Sequence, residues 1–508
     1  MPDISQTSKT SPTAFFSLLD DLIASQFPNA TPSSALQQLG TPSISIAVLT
    51  ASEILTHTIS SPSSPANTDT LYQACSISKP ICGLAVLRTI DQGKLSHDDA
   101  VTKHLPAEYI DAISTPKPRR LLDHLTIAHL ISHTGGTAVS GFPGYDCNGA
   151  FPSLTTVLQG SVGSNTPQIR ISRLPGLKWR YSGGGTTILQ AILESIHKKP
   201  LPEIVRELVF EPLGMTRSFY KDTLSNGEAN FAKCFATGVT ETSPARWHVQ
   251  PELGAAGVWT TPADLLKAQR GIRDAALGKN DFSSRELARK GITAVDGADG
   301  YTYGGWMSGT NWFGHGGSNN PGYRCRTLLC FDHDGTGQLG KAEGEGIAVM
   351  TNSALGQDVY LKVIQAVAYL RGWPGRDVLG LHEIGNAVIP LSLSNHQIDA
   401  DWEDWEGRWE VFGGKDQTDE KDVRRGQVLE IAELQGKPCL KLDYLPYMQL
   451  VQAAMPPVRY EKEAKQGIDL VVDGLDMMVS LGYNDAGECE LQIWPGLFEE
   501  PLECCAVE

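Results

Sequence analysis

The order of hydrophobic periods along the 508 residues predicts an α+β fold: an antiparallel sheet flanked by helices with a helical subdomain, joined to a small C-terminal all-β domain of barrel or sandwich type. Three observations carry this. The length exceeds what one hydrophobic core usually supports, so two domains are expected. Segments of strand period stand at both ends of the first part of the chain and enclose a helical middle, as in an α+β sheet with a helical insertion. Beyond about residue 400, short strand-like segments and turn residues alternate with no helical stretch between them. The resulting division is a disordered tail at 1–12, a large domain at 13–375, a linker at 376–400 and the β domain at 401–508.

Taken in order, the Ser/Thr-rich opening gives way to helical spacing at Phe15–Ile23. Ser45–Leu49 and Ile54–Ile59 read as two strands around a tight turn, followed by a Ser/Pro-rich loop to Asn67. From Ser76 to Gln92 the apolar residues Ile81, Leu84, Ala85, Leu87 and Ile90 recur at helical spacing. Pro80 falls in the opening turn, where a missing N–H does least harm, and Gly93 stops the helix. Helices are expected again at Thr186–His197, at Glu203–Phe210 and from Thr261, where Thr-Pro-Ala-Asp supplies a cap, a first-turn proline and an early acid. Between His133 and Gly176, Gly, Ser and Pro crowd a stretch of little periodicity, which reads as long loops, a common place for function. Strand-like segments return at Tyr301–Trp306, Tyr323–Phe331 and Gly346–Thr351, before a helix at Val359–Leu370. After the linker, Trp405–Phe412, Gln427–Leu434, Pro438–Tyr444, Ile468–Val472 and Cys489–Trp494 read as strands.

A formal net charge of -16, with 20% charged and 41% hydrophobic residues, describes an ordinary globular chain whose acidity works against nucleic acid or anionic membrane as partners. No apolar run approaches the ~18–20 residues of a membrane helix, and Met1–Gln6 lacks the basic-then-apolar pattern of a secretion signal. The ten cysteines are scattered, with no framework and no C-x-x-C pair. That fits free thiols in a reducing cytosol, so a cytoplasmic location is expected. Cys505–Glu508 superficially matches a prenylation box, but it ends in the wrong residue after an acidic stretch. The twelve histidines form neither H-E-x-x-H nor H-x-H, so no metal and no cofactor is expected. The expected partner is a small, largely uncharged molecule.

A serine hydroxyl is a poor nucleophile at neutral pH and needs a base within hydrogen-bond reach. Lys79, three residues after Ser76, would lie on the same face of a helix one turn away. There it can take the proton, because burial and the positive end of a helix both disfavour a further positive charge. The S-x-x-K pattern occurs four times, at Ser76/Lys79, Ser114/Lys117, Ser195/Lys198 and Ser218/Lys221. Only the first opens a helix after a strand and a loop. Ser114 runs into Pro116 and Pro118, Ser195 lies late in a helix, and Ser218 follows the Leu213-Gly214-Met215 turn, so these three read as solvated surface pairs.

Tyr72-Gln73-Ala74-Cys75-Ser76-Ile77-Ser78-Lys79-Pro80, running on to Gln92–Asp99, resembles the nucleophile helix of the serine β-lactamase and penicillin-binding-protein family. Leu130–Gly136, Pro175–Gly183 and His315-Gly316-Gly317-Ser318 with Pro321–Arg324 resemble further segments of that family, and the four matches stand in order across residues 13–372. The resemblance is to the class C β-lactamase, esterase and transesterase type, including fungal members, some from secondary metabolism, that carry a C-terminal β domain. It implies the β-lactamase/transpeptidase-like fold and a serine hydrolase that forms an acyl-enzyme on Ser76 without a cofactor. It implies also that Tyr181, in the place of the tyrosine of Y-x-N, moves protons with Lys79. His315-Gly316-Gly317 would stand where β-lactamases have K-T-G. The N–H of Ser318 on that strand and the N–H of Ser76 would face the developing oxyanion, and Gly316 and Gly317 would let substrate approach the backbone.

Two departures from the family pattern set the expected substrate. The asparagine of Y-x-N is missing, and the lysine of K-T-G is His315, a residue type that is mostly neutral above neutrality. A carboxylate entering that site would shed water without a matching cation, so esters and amides lacking a free carboxylate are expected to outcompete penicillin-like compounds. The expected function is hydrolysis of an ester or amide bond in a small molecule. Two alternatives stay open: acyl transfer to an alcohol, and a catalytically inactive binding module with the same fold. Arg324 is a candidate pocket residue, and Trp306 and Trp312 either wall an apolar acyl pocket or pack in the core. His133 is expected to anchor a loop and Cys75 to pack in the strand-to-helix turn.

Overall fold

The computed structural model describes residues 12–24, 29–114, 119–220, 228–236, 247–337, 339–371 and 373, and in the C-terminal segment 406–413, 428–434, 437–442, 448–452, 468–472, 478–483, 489–494 and 502–506. The expected linker at 376–400 and all but the last residue of the expected tail lie outside these; Pro12 already belongs to the first helix, Pro12–Ala24.

Six strands, β1 (Ser43–Leu49), β2 (Ile54–Ser60), β3 (Met307–Ser308), β4 (Trp312–Asn319), β5 (Tyr323–Cys330) and β6 (Gly346–Thr351), form one antiparallel sheet in the order β2-β1-β6-β5-β4-β3. The first hairpin thus lies beside the last strand, and the helical residues between β2 and β3 form an insertion, as the sequence order predicts. All seven residues of β1 are buried because both faces of the sheet are covered. Ala47 and Leu49 feed one core, shared with the helix Ser78–Asp91 and the insertion. Ile44, Ile46 and Val48 feed the other, with Phe15, Phe16 and Leu19 of Pro12–Ala24 and Val359, Val363 and Val367 of Gly356–Arg371. The two-residue period of a strand decides which layer each side chain enters.

The helix Ser78–Asp91 runs through the middle of the first core and is buried without a break from Ser78 to Leu87. Each large apolar side chain so placed contributes about 1.5–3 kcal/mol, so packing fixes this helix and any polar group it carries. Thr261 caps Pro262–Ala276 as expected, accepting from Asp264 N at 3.4 Å. The Glu203–Phe210 prediction becomes Leu201–Val205 followed by a wider turn of π type at Arg206–Phe210.

Two expectations change. Tyr301–Trp306 is no strand: Thr302 Oγ1 accepts from Gly304 N at 3.2 Å and Trp306 N at 3.1 Å and donates to Gly291 O at 2.7 Å, which ties the segment into a turn, and strand pairing starts at Met307. The His133–Gly176 stretch is not all loop, since Leu154–Gln159 is a helix capped by Ser153 and closed by Gly160. At six residues it is too short to show a period.

In the C-terminal segment eight strands, Gly407–Gly413, Val428–Leu434, Lys437–Leu442, Met448–Gln452, Ile468–Val472, Met478–Tyr483, Cys489–Trp494 and Leu502–Ala506, pair antiparallel with their chain neighbours.

Candidate active site

Within residues 71–80 Ser76 alone is not buried. It sits in a single 3-10 turn, Cys75–Ile77, between the short strand Tyr72–Gln73 and the helix Ser78–Asp91, so the α-helix opens two residues after the expected start. Cys75 has φ +52, a left-handed conformation that costs a non-glycine residue about 1–2 kcal/mol. Burial holds it there, with Sγ towards Gln73 O at 3.4 Å and Tyr323 O at 3.6 Å. The packing role expected of Cys75 thus makes the sharp corner on which Ser76 is presented.

Lys79 is 4% exposed, and its Nζ donates to Ser76 Oγ at 3.0 Å and to Ala255 O at 3.0 Å. The carbonyl belongs to Leu253–Ala256, a short helix packed on Ser78–Asp91. One fixed acceptor therefore steers the amine onto the serine. Of the competing pairs, Ser195 lies inside the helix Gly183–His197, while Lys117 and Lys221 lie outside the described residues.

Tyr181 precedes Ser182, the cap of Gly183–His197, whose Oγ accepts from Gly185 N at 3.0 Å. The Tyr181 ring stands over Lys79, 4.9 Å from ring centroid to Nζ. The lysine thus meets the face of the ring, a cation–π geometry. Where the family has asparagine, a Cβ on Gly183 would lie 2.7 Å from Phe142 Cε2 and 3.0 Å from Ser140 O, so the loop fills that space. His133 packs against both Tyr181 and Tyr301, with centroids 4.5 Å and 4.7 Å away. Burial first, then Lys79 and His315, hold its imidazole well below the usual range and therefore neutral.

His315 is buried on β4, and its Nδ1–H donates to Gly316 O at 2.5 Å. A carbonyl can only accept, so Nδ1 carries the proton and Nε2, buried without a partner among the described residues, is a lone pair. Burial and the neighbouring Lys79 push the ring down to about 3. His315 thus offers a hydrogen-bond acceptor and no charge. β3 pairs with Phe313 and Gly314, so the β4 edge from His315 to Asn319 has no strand beside it among the described residues. Asn319 Nδ2 binds that end to the nucleophile turn through Gln73 Oε1 at 2.7 Å and to Ala256 O at 3.1 Å.

Ser76, Tyr181, His315, Gly316, Gly317 and Ser318, all expected, line one cavity of about 460 Å³. Trp179, Tyr301 and Met307 complete one wall, and Gln357, Tyr360 and Leu361 of Gly356–Arg371 another. The pocket-wall reading does not hold for three residues, and for the two tryptophans the core alternative does. Trp306 packs edge-on against Phe313 at 5.6 Å in the core, and Trp312 is buried in the second core. Arg324 does not reach the cavity, because its Nη1 donates to Asn319 O at 3.0 Å and Tyr323 O at 2.9 Å. The absence of a matching cation is also overturned: Arg326, two residues on, lines the cavity. The charge comes from the strand next to the motif and not from the motif. The two arginines share one face of β5 by strand period, and only the register, which sets Arg326 opposite Gly316, distinguishes them.

Residues 29–369 match the family model described as Beta-lactamase. Esterase EstB of Burkholderia gladioli is 32% identical over 158 residues, covering 30% of this chain and 38% of the esterase. A putative D-alanyl-D-alanine carboxypeptidase of Escherichia coli (strain K12) is 28% identical over 160 residues, 31% of this chain and 36% of that protein. The chain thus spans a little over a third of the length of these curated relatives. Among solved structures, the octameric penicillin-binding protein homologue from Pyrococcus abyssi has a TM-score of 0.55 at 17% identity, covering 96% of this chain and 100% of that one. SurE has a TM-score of 0.53 at 15% identity, covering 97% and 99%. At such identities the likeness is one of fold.

Proposed function

The chain belongs to the Beta-lactamase family, and on that premise we propose that it hydrolyses an ester or amide bond of a small molecule through an acyl-enzyme on Ser76. The observation that carries this reading is the 3.0 Å contact of Lys79 Nζ with Ser76 Oγ, a buried amine on the one accessible residue of its turn. Lys79 in its neutral form, with its lone pair turned to Oγ, takes the serine proton as Oγ attacks the acyl carbon. The N–H groups of Ser76 and Ser318 receive the oxyanion, and Tyr181 with Lys79 returns a proton to the leaving group. Water then repeats the sequence and frees Ser76. The likeness to an esterase favours an ester over an amide. Intact-mass measurement after incubation with a fluorophosphonate tests it: one adduct on the wild type and none on Ser76→Ala supports the reading. No adduct on either favours an inactive binding module, and an adduct on Ser76→Ala moves the nucleophile elsewhere.

We propose further that residues 401–508 form a separate β domain whose strands close into a barrel. The pairing of Trp409 in the first strand with Ala506 in the last supports this. Limited proteolysis should cut first between 376 and 400 and leave two stable fragments; a chain that resists cutting there counts against the boundary.

A further inference from the structure

We infer that Asn319 is a positioning residue for the reaction: its one side-chain amide sets β4, the nucleophile turn and the segment that steers Lys79 against one another. The inference rests on the hydrolase reading above.

The groups proposed to act on one acyl carbon come from three places in the chain. Ser76 follows Tyr72–Gln73, the acceptor of Lys79 is Ala255 O in Leu253–Ala256, and Ser318 stands on β4. The first two are already joined, because Gln73 pairs with Trp259 and Ala74 N donates to Val258 O at 2.8 Å in a separate small sheet with Phe219–Tyr220. β4 belongs to the six-stranded sheet, so the catalytic groups meet only if the two sheets are held in register. Strand period puts Gly317 and Asn319 on one face of β4. The bare Gly317 lets the turn close on the strand, since a Cβ there would lie 2.7 Å from Ala74 O and from Cys75 Cβ. Asn319, next on that face, bonds the segments that Gly317 admits.

Asn319 is buried, and its Nδ2 donates to Gln73 Oε1 at 2.7 Å and to Ala256 O at 3.1 Å. Both of its amide hydrogens are thereby used. Ala256 O can only accept, which fixes the nitrogen of Asn319 on that side. Gln73 must then turn its oxygen to Asn319, and its Nε2 donates to His248 O at 2.8 Å. Neither amide can flip without setting like against like, so the network is satisfied in a single arrangement. The far end is fixed as well, because Arg324 Nη1 donates to Asn319 O at 3.0 Å. Among the described residues the other polar contacts from β4 and β5 to residues 73–75 are those of thiols, Cys75 Sγ to Tyr323 O at 3.6 Å and Cys325 Sγ to Ala74 O at 3.1 Å, and a thiol is a weak donor. Asn319 follows Ser318, Ala256 follows Ala255, and Gln73 stands three residues before Ser76. The cavity walls that would hold a ligand, Trp179, Tyr301 and Tyr360 among them, lie outside this network, so its loss should reach the bond-forming step and spare binding.

Saturation kinetics with a fluorophosphonate on the full chain separate the two, since KI reports binding and kinact reports the step in which the Oγ–P bond forms and fluoride leaves. Asn319→Ala, shown by circular dichroism to be folded, should lower kinact by about 10–100-fold with KI within about threefold of wild type. Gln73→Met should lower kinact by a smaller factor, because the bond to Ala256 O remains, and the double variant should cost little more than Asn319→Ala. A kinact of wild-type size in folded Asn319→Ala, a loss confined to KI, or full additivity of the two changes would overturn the role. If Asn319→Ala does not fold, Gln73→Met decides: a lower kinact at constant KI upholds the role and an unchanged kinact overturns it. No adduct on the wild type would overturn the hydrolase reading and the role with it, an outcome told apart from the others because the unaltered chain is then already silent.

Discussion

His133 holds Tyr181 from both sides: its carbonyl accepts the N–H of Arg180 at 2.9 Å, and its Nδ1 accepts the N–H of Ser182 at 3.2 Å. Its ring also packs on the tyrosine ring, while its own backbone is kept at φ +59. One buried residue thus fixes the peptide before and after the proposed proton carrier. His133→Ala should lower kcat by about 10–100-fold, since small misplacements of a reacting group are expensive. If the effect passes through Tyr181, the same change in a Tyr181→Phe background should cost little more. Full additivity of the two losses would reduce His133 to a loop anchor. His133→Asn, which restores an acceptor near Nδ1, should recover part of the rate.

Ser76→Ala should remove turnover by several orders of magnitude, with Lys79→Ala nearly as severe, because nucleophile and base act as one unit. The fold should survive the serine change, as Ser76 is the unburied residue of its turn. A Ser76→Ala rate above a few per cent of wild type would displace the nucleophile.

Acid should destabilise this domain through its buried imidazoles. His315 is held down to about 3 by burial and Lys79, against about 6.5 in the unfolded chain. Between those values the unfolded chain binds a proton that the folded chain refuses, so stability is complete above about 6.5 and falls as pH drops towards about 3. His133, also neutral and well below its usual range, acts with the same sign. Denaturant midpoints followed from pH 7 to roughly pH 4 should fall less steeply in His315→Gln, which has no proton to gain. Parallel curves for variant and wild type would exclude His315 as a source of the acid sensitivity.

Local chemistry made Ser76 and Lys79 legible in the sequence, because three residues on a helix dictate a shared face whatever surrounds it. The sheet was legible for a similar reason: β1, β2, β5 and β6 each carry their own strand pattern and needed no partner to reveal it. Tyr181 and His315 could be named only by resemblance. The cavity walls escaped because they are products of tertiary placement. Arg324 and Arg326 are indistinguishable by period, and only the opposing glycine decides which one reaches the cavity. Trp306 and Trp312 look like pocket walls in composition, yet the Thr302 turn sends the first into one core and the register of β4 sends the second into the other. Tyr360 and Gln357 come from a helix more than 270 residues after the serine, and no local pattern could have connected them.

Two neighbouring glycines on β4 face opposite sides of the sheet, and alanine should be costly at one and tolerated at the other. A Cβ on Gly317 would stand 2.7 Å from Ala74 O and from Cys75 Cβ, and 2.8 Å from Cys325 Sγ. These are backbone and buried atoms that cannot step aside, so the turn carrying Ser76 must shift. Overpacking of this kind typically costs about 1–3 kcal/mol, and a displacement of about 1 Å at the reacting group costs about 100-fold in rate. Gly317→Ala should therefore lower Tm and lose ester hydrolysis. On Gly316 the added Cβ meets Nη1 and Cδ of Arg326 at 3.3 Å and 3.4 Å and Cys325 O at an ordinary 3.7 Å, and the flexible arginine side chain can give way. Gly316→Ala should keep its Tm and its ester hydrolysis close to wild type. Melting curves and paired kinetics on both variants check this. A Gly317→Ala enzyme with wild-type Tm and rate would mean that the nucleophile turn does not lean on β4, and a Gly316→Ala enzyme as impaired as Gly317→Ala would mean that Arg326 cannot yield to the added methyl.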